Sequence, residues 1–343
     1  MYIGSMLQKD NAISFMRVFA MITIVFYHCC CLNAGIWKFE GITPRFYTFI
    51  ANQLAYIGLN CFFLISGILY FRFFSNTSHY SDNVSFIRNK VSRLLSPYIF
   101  WGIVLCIIMN DRYSVKELLF GISHLWFLLT LFFIFVIFQF TQKIWNNRAL
   151  KIDIFILLVL FILDVFLPRL SFLQNAKGQS VLSILAVSTY SPIFFIGMLS
   201  EKYSLRNKIS IVIKNDFLKM LLILCLLGMG IFFFLFDIWK FKALYQWIPC
   251  VLALLIIYSV KSASLKNRFV LGLDKFSMGI YIIHHILLFL FITKMEYFRM
   301  WLNEHYLIGP FLLFLLIMPL SYIVILALKR LAPEWICKRI LGV

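Results

Sequence analysis

SFMRVFAMITIVFYHCC, residues 14–30, lies in an apolar run long enough to cross a bilayer, yet it carries Arg17 toward one end and His28 toward the other. An ionisable side chain inside a membrane helix is expensive and calls for an explanation. The two residues are eleven positions apart. At 1.5 Å and 100° per residue that spacing is about 16 Å of rise and about 1100° of rotation, within roughly 20° of three full turns. Both side chains therefore share one helix face. Taken singly, Arg17 reads as a snorkelling residue and His28 as an interfacial one. Together on one face they read as part of a polar path.

The rest of the chain has the same apolar character. Of its 343 residues 62% are hydrophobic, 39 are phenylalanine and only 13% are charged, with a mean hydropathy of +0.91. Such a composition excludes a soluble domain and predicts an all-α, polytopic membrane protein. The formal net charge of +18 does not indicate nucleic-acid binding, because Lys and Arg sit in short loops between apolar runs and form no basic domain. The eight cysteines lie mostly in or beside apolar runs without a C-x-x-C pair, so they read as packing residues. Phe26, Tyr27 and His28 are too bulky to precede a signal cleavage site, so the first helix is expected to be retained. No His, Asp and Glu cluster appears at metal-ligand spacing, and no metal is expected.

Ten membrane spans are predicted, at 13–31, 50–71, 94–109, 118–140, 152–167, 180–199, 217–236, 244–260, 276–293 and 308–328, with Pro192, Pro249 and Pro319 inside spans. If the N-terminus is cytoplasmic, 20 of the 32 Lys and Arg fall in cytoplasmic segments and ten in the outer loops, two per loop. Arg17 and Lys219 lie within spans. This asymmetry predicts both termini inside. No internal repeat is evident and no loop is long enough to fold separately, so residues 1–343 read as one transmembrane domain.

Several motifs then carry a resemblance. MRVFAMITIVFYH holds Arg17 and His28; GLNCFFLISGILY (58–70) holds Phe62, Phe63, Ser66 and Gly67; KVSRLLSPY (90–98) holds Lys90 and Arg93; HLWFLLTLFF (124–133) holds His124 and Trp126; SMGIYIIHH (277–285) holds Tyr281 and His284. In order and spacing, over a core of about 14–330, these resemble the membrane-bound acyltransferase-3 family, which moves acyl groups, usually acetyl, onto sugars of bacterial surface glycans.

The resemblance implies an integral O-acyltransferase of the bacterial plasma (inner) membrane. It would use acyl-CoA, usually acetyl-CoA, to acylate a hydroxyl of a cell-surface carbohydrate such as lipopolysaccharide, capsule or exopolysaccharide. Some relatives append an extracytoplasmic esterase-like domain; here the membrane core is expected to act alone or with a separate partner. A sugar hydroxyl needs a base poised near neutral pH, which points to His28. Arg17, nearer the cytoplasm, suits the phosphates or pantetheine amides of the donor. Arg93 and Lys90 suit its 3′-phosphoadenosine end, although Lys90 reads also as a topology signal. His124, Trp126, Tyr281 and His284 are acceptor-side or supporting candidates, with a core-histidine reading also open for His284; His285 reads as core or interface. Phe62, Phe63, Ser66 and Gly67 read as helix-packing residues. The alternative reading, a transporter or flippase of a glycan intermediate, expects two related halves, which this chain lacks. Neither the acceptor nor an oligomeric state is legible.

With this topology, a cysteine introduced beside Arg88 is expected to escape a membrane-impermeant maleimide applied to intact cells and to react once the cells are opened. Labelling in intact cells would overturn the orientation.

Overall fold

The computed structural model describes residues 11–37, 41–76, 82–109, 112–146, 149–170, 173–174, 180–205, 208–209, 216–235, 248, 250–255 and 268–341. All regular structure among these residues is helical. The helices are α1 (Asn11–Cys30), α2 (Arg45–Asn76), α3 (Asn83–Lys90), α4 (Ser96–Ile108), α5 (Trp126–Phe140), α6 (Gln142–Trp145), α7 (Leu150–Phe166), α8 (Ile184–Lys202), α9 (Asp216–Leu235), α10 (Arg268–Lys294), α11 (Glu296–Glu304), α12 (Gly309–Leu331) and α13 (Glu334–Leu341).

Seven stretches among the described residues are long and apolar enough to cross a bilayer: α1, Arg45–Phe74, Asn83–Ile108, Val115–Phe140, Val181–Lys202, Phe269–Lys294 and α12. The chain is thus a multi-pass membrane protein. The span expected at 94–109 is the latter part of a longer rod, in which α3 and α4 join through a π-helical turn at Val91–Leu95. Pro97 explains that turn. It has no N–H to give the carbonyl of Arg93, so the helix widens and Ser96 N–H reaches back five residues to Val91 O. Asp82 caps the rod by accepting from the N–H groups of Val84 and Ser85. Hydrogen bonding from Ser85 and Val84 holds its carboxyl below the ordinary value, so the cap is complete above about pH 4 and is lost as pH falls. The span expected at 152–167 is α7, of 17 residues. That expected at 244–260, including Pro249, lies largely outside the described residues.

The chain divides into two compact units, Met1–Phe62 with Ser204–Ile325, and Phe63–Tyr203 with Leu326–Val343. In the first, α1 packs along α10. Arg17 meets Asp274 near the start of both helices and His28 meets His284 further along, so the two run parallel. Phe26 of α1 also meets Phe311 and Phe314 of α12, with centroids 5.0 and 5.5 Å apart. Past Cys30 the chain makes one more turn before a Schellman stop. There Ile36 N–H donates to Cys31 O and Gly35 N–H to Leu32 O, with Gly35 in the left-handed region at φ +69°.

In the second unit α2 and α8 also run parallel, from Phe63 stacked on Tyr190 to Arg72 paired with Glu201. Between these points their backbones nearly touch. A methyl group on Gly67 would run into the carbonyl oxygen of Phe194, and one on Gly197 into that of Leu64. The end of α8 is tied twice more, because Lys202 Nζ and Tyr203 Oη both donate to Oδ2 of buried Asp153 on α7. That tie joins the start of α7 to the end of α8, so the two form an antiparallel hairpin.

Gly67→Ala and Gly197→Ala are expected to lower the folded, monodisperse yield in detergent, consistent with overpacking of about 1–3 kcal/mol. Gly228→Ala, where a methyl group meets nothing within 4 Å, should not. Normal yield of the first two variants would show that the approach is not needed.

Candidate active site

An ion pair and a histidine pair join α1 to α10. At one, Arg17 Nη1 donates to Asp274 Oδ1 at 2.7 Å, with the Asp274 side chain 4% exposed and that of Arg17 31%. Ser277 Oγ donates to the carbonyl of Asp274 at 2.9 Å one turn on. At the other, His28 Nδ1 lies 2.9 Å from His284 Nε2, and His284 Nδ1 lies 3.0 Å from the carbonyl oxygen of Ile280. Both histidines are buried.

These distances assign the protons. A carbonyl oxygen only accepts, so His284 Nδ1 carries a hydrogen and donates to Ile280 O. In the neutral ring Nε2 of His284 is then the acceptor, and the hydrogen between the imidazoles belongs to His28 Nδ1. This leaves Nε2 of His28 with the basic lone pair. An imidazole held as this tautomer can take a proton at Nε2, and the resulting cation stays hydrogen-bonded to His284 through Nδ1.

Aromatic rings surround the pair. Tyr281 is buried, 6.0 Å between ring centroids from His284 and 6.4 Å from Phe62. His285 meets His28 edge-on at 4.6 Å, and Trp37 lies 5.7 Å from His285 and 5.0 Å from Phe289.

The remaining sequence candidates belong to the second unit. The Lys90 ammonium sits over the ring of Phe135, 3.7 Å from its centroid, and 5.2 Å from that of Phe86. Its charge is thus engaged in cation–π contacts. Arg93 rides on the π-helical turn and is exposed. Nearby, Trp101 Nε1 donates to Ile340 O of α13 at 2.6 Å. His124 is buried in a 3₁₀ turn leading into α5. Tyr98 Oη pins this lead-in, donating to Leu118 O at 2.6 Å and accepting from Ile122 N–H at 3.3 Å. Trp126 leans on Tyr190, which stacks on Phe63 at 4.3 Å. Ser66 is partly exposed beside Gly67. No group of three or more His, Cys, Asp or Glu suited to a metal occurs among the described residues.

The family described as "Acyltransferase domain", the acyltransferase-3 group, matches residues 10–330. The chain belongs to the acyltransferase-3 family. It is therefore a membrane-embedded acyltransferase. No match is found among curated proteins or among solved structures.

Two features of this acyltransferase lay outside the sequence-based expectation. Asp274 falls just before the span expected at 276–293 and reads there as loop; the helix in fact begins at Arg268 and carries Asp274 inside it. The available signal was the spacing of Asp274 and His284, ten residues, nearly matching the eleven of Arg17 and His28. Trp37 lies in a connection without a motif, and only the turn at Gly35 brings it back.

If His284 acts through His28, His284→Ala is expected to lower turnover by roughly tenfold or more, up to the roughly 10²–10⁴-fold that general-base catalysis contributes. Added to His28→Ala it should cause little further loss, because residues acting as a unit are non-additive. Turnover of the two single variants and the double variant, at matched abundance, decides this; independent, multiplying losses would separate the two histidines.

Proposed function

We propose that this acyltransferase is an O-acyltransferase that moves an acyl group, acetyl being the simplest, from acyl-CoA to a hydroxyl of a cell-surface carbohydrate. The observation that carries the reading is the His28–His284 pair, which presents a basic Nε2. In the reaction His28 Nε2 takes the hydroxyl proton as the oxygen attacks the thioester carbonyl. The tetrahedral intermediate collapses by breaking the C–S bond, and the departing thiolate receives the proton from the His28 imidazolium. Acyl ester and coenzyme A thiol result, and the histidine pair returns to its neutral state.

The donor is assigned to the Arg17 end of the α1–α10 face. One guanidinium nitrogen is spent on Asp274, and a guanidinium has five N–H groups, so the ion pair orients Arg17 while leaving it capacity for donor oxygens. The separation of about 16 Å between Arg17 and His28 is comparable with an extended pantetheine arm. Of the two candidates for the 3′-phosphoadenosine, Arg93 is the exposed one; Lys90, over Phe135, supports the turn that carries it. His124, Trp126 and Tyr281 remain assigned to the acceptor side or to support.

Ten crossings with cytoplasmic termini fit this reading. Parallel α2 and α8 require an odd number of crossings between them, which supports counting α7 with the two recognised spans, Asn83–Ile108 and Val115–Phe140. Parallel α1 and α10 impose the same parity, which α9 and one further crossing between α9 and α10 would satisfy. With the N-terminus cytoplasmic, donor and acceptor then enter from opposite sides of the plasma membrane.

Purified protein with labelled acetyl-CoA and a panel of glycans is expected to yield a labelled carbohydrate ester. His28→Ala should lose roughly 10²-fold or more in kcat while retaining donor affinity, and Arg17→Lys should chiefly raise the donor KM. Arg17→Lys with normal donor affinity and slow turnover would place Arg17 at the reacting centre instead.

A further inference from the structure

We infer that Trp37 is an acceptor-positioning residue that stacks on the apolar face of a sugar ring and thereby holds its hydroxyl against His28. This rests on the carbohydrate O-acyltransferase reading above, and it names the group that grips the acceptor.

The argument begins with the backbone. The Schellman stop at Gly35 reverses the chain just beyond α1, so that Trp37 returns over α10 instead of continuing away from it. Its indole meets the edge of His285 at 5.7 Å with planes 77° apart, and His285 in turn meets His28 at 4.6 Å and 87°. Trp37 is therefore one ring removed from the base. Its indole also packs obliquely against Phe289 at 5.0 Å, yet the residue stays partly exposed. A large aromatic supported by a ring and still accessible is a platform.

Two considerations select its occupant. Trp37 lies past His28 along the chain and on the side away from Arg17, hence away from the donor end of the α1–α10 face. What reaches His28 from this side is the acceptor. The axial C–H groups of a pyranose form a flat, weakly positive apolar face, which complements the negative face of an indole. Stacking also leaves the hydroxyls at the ring edge, where one of them can meet an imidazole. His285, between indole and base, sets the spacing of the two.

The test uses the full-length protein in detergent or proteoliposomes, with labelled acetyl-CoA as donor and p-nitrophenyl glycosides of hexoses and N-acetylhexosamines as acceptors. Trp37→Ala is expected to raise the acceptor KM about tenfold, as loss of one stacking contact does, with the donor KM unchanged. Trp37→Phe should recover to within about threefold of the parent, whereas Trp37→Leu, which keeps apolar bulk without a π face, should not. If Trp37→Ala fails to accumulate, the Phe and Leu variants decide alone. An unchanged acceptor KM, a donor KM that rises in step with it, or Leu restoring as well as Phe would each overturn the stacking role while leaving the acyltransferase reading intact. Failure of the parent protein to acylate any glycoside would overturn that reading, and this inference with it.

Discussion

Lipid offers no hydrogen-bond partner, so an arginine and a histidine on one face of a membrane helix must be satisfied by another helix. That requirement joins α1 to α10. A single polar contact between two helices would leave them free to rotate or slide about it. Arg17–Asp274 and His28–His284 lie on the same two helices about 16 Å apart along α1, and together they set both rotation and register. The ion pair is not thereby a large source of stability. Removing a carboxylate and a guanidinium from water costs much of what their attraction returns, and the value of such a pair is in the arrangement it selects.

The same pairing sets two unlike environments along one face. One end of the α1–α10 face carries a guanidinium anchored by a buried carboxylate; toward the other lie imidazoles and aromatic rings. On the proposed reading, a polyanionic donor and an uncharged polyol would make opposite demands on their surroundings, and the two ends differ in that sense. Elsewhere the fold follows packing rules suited to lipid. α2 and α8 approach through glycine, and α12 turns most of its surface outward, as a helix does when its surroundings are as apolar as its side chains.

Much of this was legible in the sequence, for physical reasons. An eleven-residue spacing nearly completes three helical turns, so the shared face of Arg17 and His28 followed from helix geometry alone. Long apolar runs declared their helices, because a bilayer imposes a minimum length. The partners were harder to see. Asp274 sits where polar residues resume, and hydropathy ends a span there although the helix continues for nearly two more turns. Lys90 carries a charge that reads as a topology signal or a phosphate ligand, and nothing local reveals that Phe135, 45 positions away, receives it. Trp37 depends on one glycine adopting a positive φ. In each case the missing information was long-range, or lay in a dihedral angle that many sequences accommodate.

The choice of histidine as partner to His28 also has a physical basis. In the proposed role of general base His28 needs its tautomer held, and a carboxylate on Nδ1 would do this well in an aqueous cleft. Within a membrane helix pair a carboxylate would also leave a resting negative charge without a compensating cation, which a low-dielectric setting penalises. His284 performs the tautomeric task while neutral, because its own Nδ1–H is committed to Ile280 O and its Nε2 can only accept. With both rings neutral the pair carries no net charge, and in the proposed reaction an imidazolium would arise only while the proton passes from acceptor to leaving thiolate. The carboxylate that α10 does contribute, Asp274, stands at the other end of the face, where Arg17 neutralises it. The ion pair and the histidine pair are thus each matched in polarity to the end of the face they occupy.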